Sequence, residues 1–255
     1  MIHPQTAEAA LDWPPAFHSA HPLAAWRLVR ALGRTARAAL QVQLGAPPRA
    51  AMGAWATDFL EALNVQVELT SPLPAGAPLW ASSHLSWLDP LVCLHLRPST
   101  CLAKAEVAEY PLIGRAASRA GLRYVQREVA LSRAAALTRL AADLRRGEDV
   151  LIFPEGTTTR GEYLAPLYEG GLRAAYRLGV PLLPIRLSSP EAHYPWTGDE
   201  SLLPHLLGLT RARRTRILVH PGAVLLPQAF SHEHHWVSAI AAHLSPTARD
   251  LRGCA

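Results

Sequence analysis

Cysteine is scarce in this chain: three in 255 residues. Cys93, Cys101 and Cys254 are odd in number and lack the paired spacing of a zinc site. That pattern argues against a disulfide framework and suits a reducing compartment. The first twenty residues mix Asp, Glu, His and Pro without an apolar core, so a secretory signal peptide is not expected. A run of about 20 uninterrupted apolar residues is also missing, which leaves interfacial contact as the expected mode of any membrane association. A G-x-S-x-G elbow is absent, which counts against a serine hydrolase. The tract His232-Glu233-His234-His235 lacks HExxH spacing and reads as a solvated loop, with no metal assigned. Internal repeats and low-complexity tracts are missing too.

What the chain does contain is apolar substance and positive charge. Hydrophobic residues make up 49% of it, enough for a globular core at this length without a structural metal. The formal net charge of +5 favours anionic partners, and by itself leaves phosphate headgroups, nucleic acid and phosphorylated small molecules open. Residues 1–22 are rich in Pro and His and are expected to be loosely ordered. From Leu23 to Leu44 the pattern is helical. Arg27, Arg30, Arg34 and Arg37 collect on one narrow face, and Leu28, Val29, Leu32, Ala36, Ala39 and Leu40 lie roughly opposite. Such a helix either lies in a lipid interface or packs on the core with a solvated Arg face. Gly45 and Pro47-Pro48 end it. A second helix carries Met52, Trp55, Phe59 and Leu63 in one stripe, so residues 23–63 read as a helical hairpin, expected at a membrane interface.

Residues 64–255 alternate short apolar runs with helical patterns. Strands are expected at Val65–Leu69, Leu79–Ser82, Thr100–Ala103, Leu122–Val125, Val150–Phe153, Leu182–Leu187 and Arg216–His220. Helices are expected at Leu91–Leu96, Ser132–Arg146 and Gly171–Leu178, with a short one inside Tyr194–Leu209. The alternation predicts an α/β layered domain.

Four segments carry candidate chemistry. In Ser83-His84-Leu85-Ser86-Trp87-Leu88-Asp89-Pro90, a strand runs into a helix. Residues five apart on one helix point away from each other. His84 and Asp89 therefore meet only if His84 sits in the turn and Asp89 opens the helix. A carboxylate on one ring nitrogen would then fix the imidazole tautomer. The competing reading is that Asp89 is a helix cap before Pro90, with Ser86 in a capping box. Phe153-Pro154-Glu155-Gly156-Thr157-Thr158-Thr159-Arg160 is either a turn presenting donors to an anion or a plain Pro-Gly turn. In Gly121-Leu122-Arg123-Tyr124-Val125-Gln126-Arg127 an Arg closes a short strand, where it can grip a phosphate or simply be solvated. Val180-Pro181-Leu182-Leu183-Pro184-Ile185 suits an edge strand or groove wall.

In order and spacing these segments resemble the phospholipid/glycerol acyltransferase family, of which lysophosphatidic acid acyltransferases are the best-known members. HxxxxD is followed after about forty residues by the Arg strand, then by FPEGT and VPLLPI, and the likeness runs from about Trp55 to Pro221. The stretches Ala103-Lys104-Ala105-Glu106 and Leu167–Ile185 also resemble the family's. The resemblance implies a mixed sheet flanked by helices, with His84 as general base and Asp89 as its orienting carboxylate. It implies acceptor binding by Arg127, Glu155, Gly156 and Thr157, a supporting role for Lys104, and an acyl-chain path near Val180–Ile185. It further implies a fatty acyl donor on coenzyme A or acyl carrier protein, with no bound cofactor and no metal. The expected acceptor is a lysolipid, first 1-acyl-glycerol-3-phosphate and alternatively a lyso-ornithine lipid. The expected setting is an anionic membrane surface on the cytoplasmic face, with no nucleic acid partner. Three positions depart from the family: Ser83 stands where Asn is frequent, which loses a side-chain amide but not the chemistry, Thr159 replaces a frequent Ser, and Thr158 stands where Arg is frequent in members that use phosphate acceptors, which weighs against a phosphate monoester. A non-enzymatic basic protein, binding membranes or nucleic acid through Arg27–Arg37 and Arg211–Arg216, is the rival outside enzymes.

Overall fold

A computed structural model describes residues 23–104, 122–126, 129–198 and 200–251, with 103, 104, 249 and 251 described by their backbone alone. Two helices come first, α1 (Ala24–Gln43) and α2 (Pro48–Ala62). Asn64 follows α2 at φ 56°, the left-handed conformation that Asn tolerates better than most residues. Its side-chain amide donates to the Arg213 carbonyl at 2.7 Å, tying the hairpin to the body.

The strands are β1 (Val65–Leu69), β2 (Leu79–Ser82), β3 (Thr100–Lys104), β4 (Arg123–Val125), β5 (Val150–Ile152), β6 (Leu182–Ser188) and β7 (Thr215–Pro221). They form one seven-stranded sheet in the order β1-β7-β6-β2-β5-β3-β4. Every neighbouring pair is parallel except β6 with β7, so the sheet is mixed, as the resemblance implies. The intervening helices are α3 (Asp89–Leu96), α4 (Ala130–Arg145), α5 (Gly170–Leu178), α6 (Leu202–Arg211), α7 (Glu233–Leu244) and the short α8 (Ala248–Leu251).

Strand alternation builds two cores. Trp80, Leu151, Leu183, Ile217 and Val219 project to one face, where they meet Phe59 and Leu60 of α2 and Leu91 and Val92 of α3. Leu79, Val150, Ile152 and Leu182 project to the other, against Leu140 of α4, Leu172 of α5 and Trp236 and Ile240 of α7. One residue of slip would exchange the two sets, so the pattern specifies the register. Each such side chain contributes about 1.5–3 kcal/mol on burial. Central β2 is buried along its whole length, with parallel β5 and β6 on either side. The carboxyl ends of these three strands therefore open at the same edge, where α/β folds bind ligands.

Two sequence expectations change. The Arg face of α1 turns inward in part. Arg27 is buried and donates to the carbonyls of Thr210, Ala212 and Arg213 at 3.2, 2.5 and 3.3 Å. A cation there satisfies carbonyls left over at the end of α6. Arg34 is paired with Asp58 of α2. The surface of α1 instead carries large apolar side chains: Trp26, Val29, Leu32 and Leu40, with Leu44 just beyond its end, are each more than half exposed. The second change is at His232–Glu233–His234–His235, expected as a loop. His232 precedes α7 and the other three residues form its first turn, with Glu233 held by Arg173 and Arg177 of α5.

Candidate active site

The turn Ser83–Leu88 leaves β2 and is stitched to β6. The Ser83 amide donates to the Ile185 carbonyl at 3.0 Å, and the Leu187 amide donates to Ser83 Oγ at 2.9 Å. A serine hydroxyl is short enough to make this strand-to-strand bond. The exchange of Asn for Ser at this position thus has a structural use.

His84 and Asp89 meet across the turn, Nδ1 to Oδ2 at 2.8 Å. Asp89 is not the N-cap of α3, although it takes the Ser86 amide as the acidic member of a capping box does. Asp89 is the first residue of α3, and its side chain points back over the turn rather than forward along the helix. Its Oδ2 accepts the amides of Leu85 and Ser86 at 2.5 and 2.8 Å, while Oδ1 accepts the Tyr194 hydroxyl. Asp89 is fully buried, and these donors offset the cost of removing a carboxylate from water. An ionised carboxylate only accepts, so Nδ1 of His84 carries a proton, and in the neutral ring Nε2 is the nitrogen that keeps its lone pair. The ring stacks on Phe153, with centroids 4.3 Å apart and planes 28° from parallel. Its side chain is 14% exposed. A fixed tautomer with an available basic nitrogen is the arrangement of a general base.

The Phe153–Thr159 segment leaves β5 beside it and clasps His84 by its backbone. The His84 amide donates to Glu155 Oε1 at 2.9 Å, and the His84 carbonyl accepts the Thr159 amide at 2.9 Å. Glu155 Oε2 takes the Ala165 amide at 3.0 Å. Both oxygens of this buried carboxylate are thus engaged inside the protein. Burial pushes the Glu155 carboxyl up, and the amides of Ala165 and His84 act against that rise. The expected contact of Glu155 with the acceptor is therefore not the geometry seen: the side chain supports the base from behind. Gly156 has φ +64°, and a Cβ there would sit 2.6 Å from the Tyr168 ring, so this position demands glycine twice over. Of the three, Thr157 is the exposed one.

Arg127 lies outside the described residues. The backbone of Lys104 ends β3 opposite Val125 of β4, and its side chain is not described. Arg123, on β4, reaches Asp143 of α4 at 3.5 Å. An open cavity adjoins the turn, lined among others by Thr159, Arg160, Arg186, Ser188 and Asp250. Arg186 and Asp250 are paired with each other, and the Thr247 amide also donates to Asp250. Sequence reading missed Tyr194 and this cavity. Tyr194 stands 105 residues from its carboxylate partner, in a Pro- and Gly-punctuated segment with no periodicity to flag it.

Residues 64–188 match the family model described as Acyltransferase. The chain is 38% identical over 165 residues to the lyso-ornithine lipid O-acyltransferase of Pseudomonas aeruginosa, covering 63% of this chain and 64% of that one. It is 29% identical over 147 residues to the 1-acyl-sn-glycerol-3-phosphate acyltransferase of Neisseria gonorrhoeae, covering 57% and 56%. The matches thus span less than two thirds of the length of these relatives. In fold, the chain is similar to the 1-acyl-sn-glycerophosphate (LPA) acyltransferase PlsC of Thermotoga maritima, with a TM-score of 0.56 and 17% identity over 86% of this chain and 96% of that one. Both turns that build the site lie within the segment 64–188 that matches this family model.

Proposed function

We propose that this protein is an O-acyltransferase that moves a fatty acyl group from a thioester, on coenzyme A or acyl carrier protein, to the hydroxyl of a lysolipid. The observation that carries this reading is the His84–Asp89 pair at 2.8 Å, held with Nε2 unpaired among the described residues. Nε2 takes the proton of the acceptor hydroxyl as its oxygen attacks the thioester carbonyl carbon. The tetrahedral intermediate collapses, the C–S bond breaks, and the imidazolium returns the proton to the leaving thiolate. Asp89 orients the ring and favours its charged form during this passage. The cycle closes without a metal or an acyl-enzyme.

For the acceptor, a lyso-ornithine lipid stands ahead of 1-acyl-glycerol-3-phosphate. The cavity beside the turn offers both signs of charge, Arg160 and Arg186 together with Asp250. An ornithine headgroup likewise carries both signs, a carboxylate and an ammonium. Thr158, where Arg is frequent in phosphate-using members, points the same way, as does identity of 38% to a lyso-ornithine relative against 29% to a glycerophosphate one. Both substrates are lipids, and the exposed apolar face of α1 suits insertion into the bilayer interface, with Arg37 exposed on the same helix for anionic headgroups. No helix among the described residues is long and apolar enough to cross a membrane. The reading is therefore of a peripheral protein, on the cytoplasmic face where acyl thioesters are found.

The test is transfer of acyl groups from acyl-CoA and acyl-ACP to lyso-ornithine lipid and to 1-acyl-glycerol-3-phosphate by purified protein. Transfer to the first should exceed transfer to the second. General-base help is worth about 10²–10⁴-fold, so His84→Ala should leave at most about 1% of the rate with vesicle binding intact. Retention of more than a few percent sinks the mechanism. Thioester hydrolysis without an acceptor, blocked by a serine-directed probe, would replace it with a hydrolase.

A further inference from the structure

The hydroxyl of Tyr194 donates to Asp89 Oδ1, and the residue is completely buried. The loop that delivers it, between β6 and α6, is fixed at several points. The Glu191 carboxylate takes the Arg216 amide and Nε, both at 3.1 Å, and the Tyr194 amide closes a turn onto the Glu191 carbonyl at 3.0 Å. The Trp196 amide donates to the Leu85 carbonyl at 2.9 Å, inside the turn that carries the base. On the other side of that turn, Trp87 Nε1 donates to His205 Nδ1 at 3.0 Å. This loop and the His84 turn are therefore one bonded unit.

Consider what Oδ1 of Asp89 would do without that hydroxyl. The carboxylate is fully buried, and both amide donors and the imidazole lie on Oδ2. Leaving a buried acceptor unpaired is unfavourable, the more so when it is charged. Rotation about the Cβ–Cγ bond would relieve it, by letting the two oxygens share the donors that now serve one. That rotation takes Oδ2 off Nδ1. The imidazole then loses the interaction that selects its tautomer, and a proton on Nε2 abolishes the base. We propose that Tyr194 is a positioning residue for acyl transfer: it holds the Asp89 carboxylate in the one rotation that keeps His84 Nε2 unprotonated and facing the acceptor. Burial, and next the charge of Asp89, push the Tyr194 hydroxyl well above its ordinary range, so it remains a donor at any working pH.

This inference rests on the acyl-transfer reading, and its test separates the two. Tyr194→Phe keeps the ring and removes only the donor, a loss that a stable domain survives. The expected result is a fall in kcat of at least about tenfold with KM for both substrates within about twofold, since tenfold corresponds to about 1.4 kcal/mol. In an Asp89→Asn background the same substitution should change kcat by less than about twofold, because its effect runs through that carboxylate. In ¹⁵N-histidine spectra, the His84 signals should move from the Nδ1–H form of the wild type toward a tautomer mixture. A variant with more than half the wild-type kcat, effects that multiply in the double mutant, or an unchanged His84 spectrum would each overturn the proposal. The spectrum needs no substrate and so judges Tyr194 independently. Wild-type turnover in the same assay judges the acyl-transfer reading.

Discussion

Removing the Glu155 carboxylate asks whether it serves the substrate or the base. Its two oxygens each accept one backbone amide, from His84 at 2.9 Å and Ala165 at 3.0 Å, and the side chain is 3% exposed. Glu155→Ala leaves both amides without a partner, at about 1–3 kcal/mol each, or about 2–6 kcal/mol together. Total stability for a domain is about 5–15 kcal/mol, so a lowered denaturation midpoint is expected even if the fold survives. Glu155→Gln is milder and more informative. The amide oxygen keeps one bond, while the NH₂ group confronts the other N–H, so about half of that loss is expected. The consequence for rate follows from which amide is involved: that of the base itself. Misplacement of a reacting group by about 1 Å costs about 10²-fold, so kcat should fall tenfold or more while KM for the lysolipid stays near its original value. Thermal denaturation, paired with steady-state kinetics at varied lysolipid, measures both. A Glu155→Ala protein with unchanged melting temperature and a defect confined to the acceptor KM would refute this argument. It would restore the carboxylate to the acceptor-binding role that the family resemblance implies.

Two other perturbations test neighbouring claims. Burial pushes the His205 imidazole from 6.5 down to about 4, partly opposed by backbone groups of His193, Tyr194 and Pro195. The fold thus prefers the neutral ring, so its contribution is complete above the unfolded value and lost as pH falls from about 6.5 towards 4; the loss by pH 5 is about 2 kcal/mol. His205→Asn, which keeps an acceptor for Trp87, should flatten the denaturation midpoint between pH 7.5 and 5, and a slope equal to that of the wild type would contradict the assignment. On α1, replacing Trp26, Val29, Leu32 and Leu40 with glutamine alters side chains that are already exposed, so the melting temperature should hold. Binding to anionic vesicles should drop by more than tenfold, given about 1.5–3 kcal/mol for each fully buried apolar side chain; unchanged co-flotation would rule out this face as the lipid contact.

The parts of this molecule that local periodicity encodes were legible in its residues. Strands β1 to β7 lie within a residue or two of their expected positions, because inward-facing apolar residues must recur with the pleat wherever a sheet has cores on two sides. Helix α7 escaped notice although Trp236, Val237, Ile240 and Leu244 carry a helical stripe. The site was legible in its types and order, since HxxxxD and FPEGT leave the ends of neighbouring parallel strands. What a linear reading does not carry is direction. Glu155 has the same letter whether it faces an acceptor or the backbone of His84, and only the partners decide. Arg27 reads as part of a lipid-facing stripe until carbonyls 183 and 185 residues away turn it inward, which frees the apolar side of α1 to face out. Tyr194 belongs to the same class. Its role depends on one oxygen of a residue 105 positions away, a relation that no spacing encodes. Long-range polar contacts to buried charges are thus where this chain departs most from its sequence pattern. They fall on the base and its supports because a buried carboxylate can be satisfied only by whatever donors the fold brings to it.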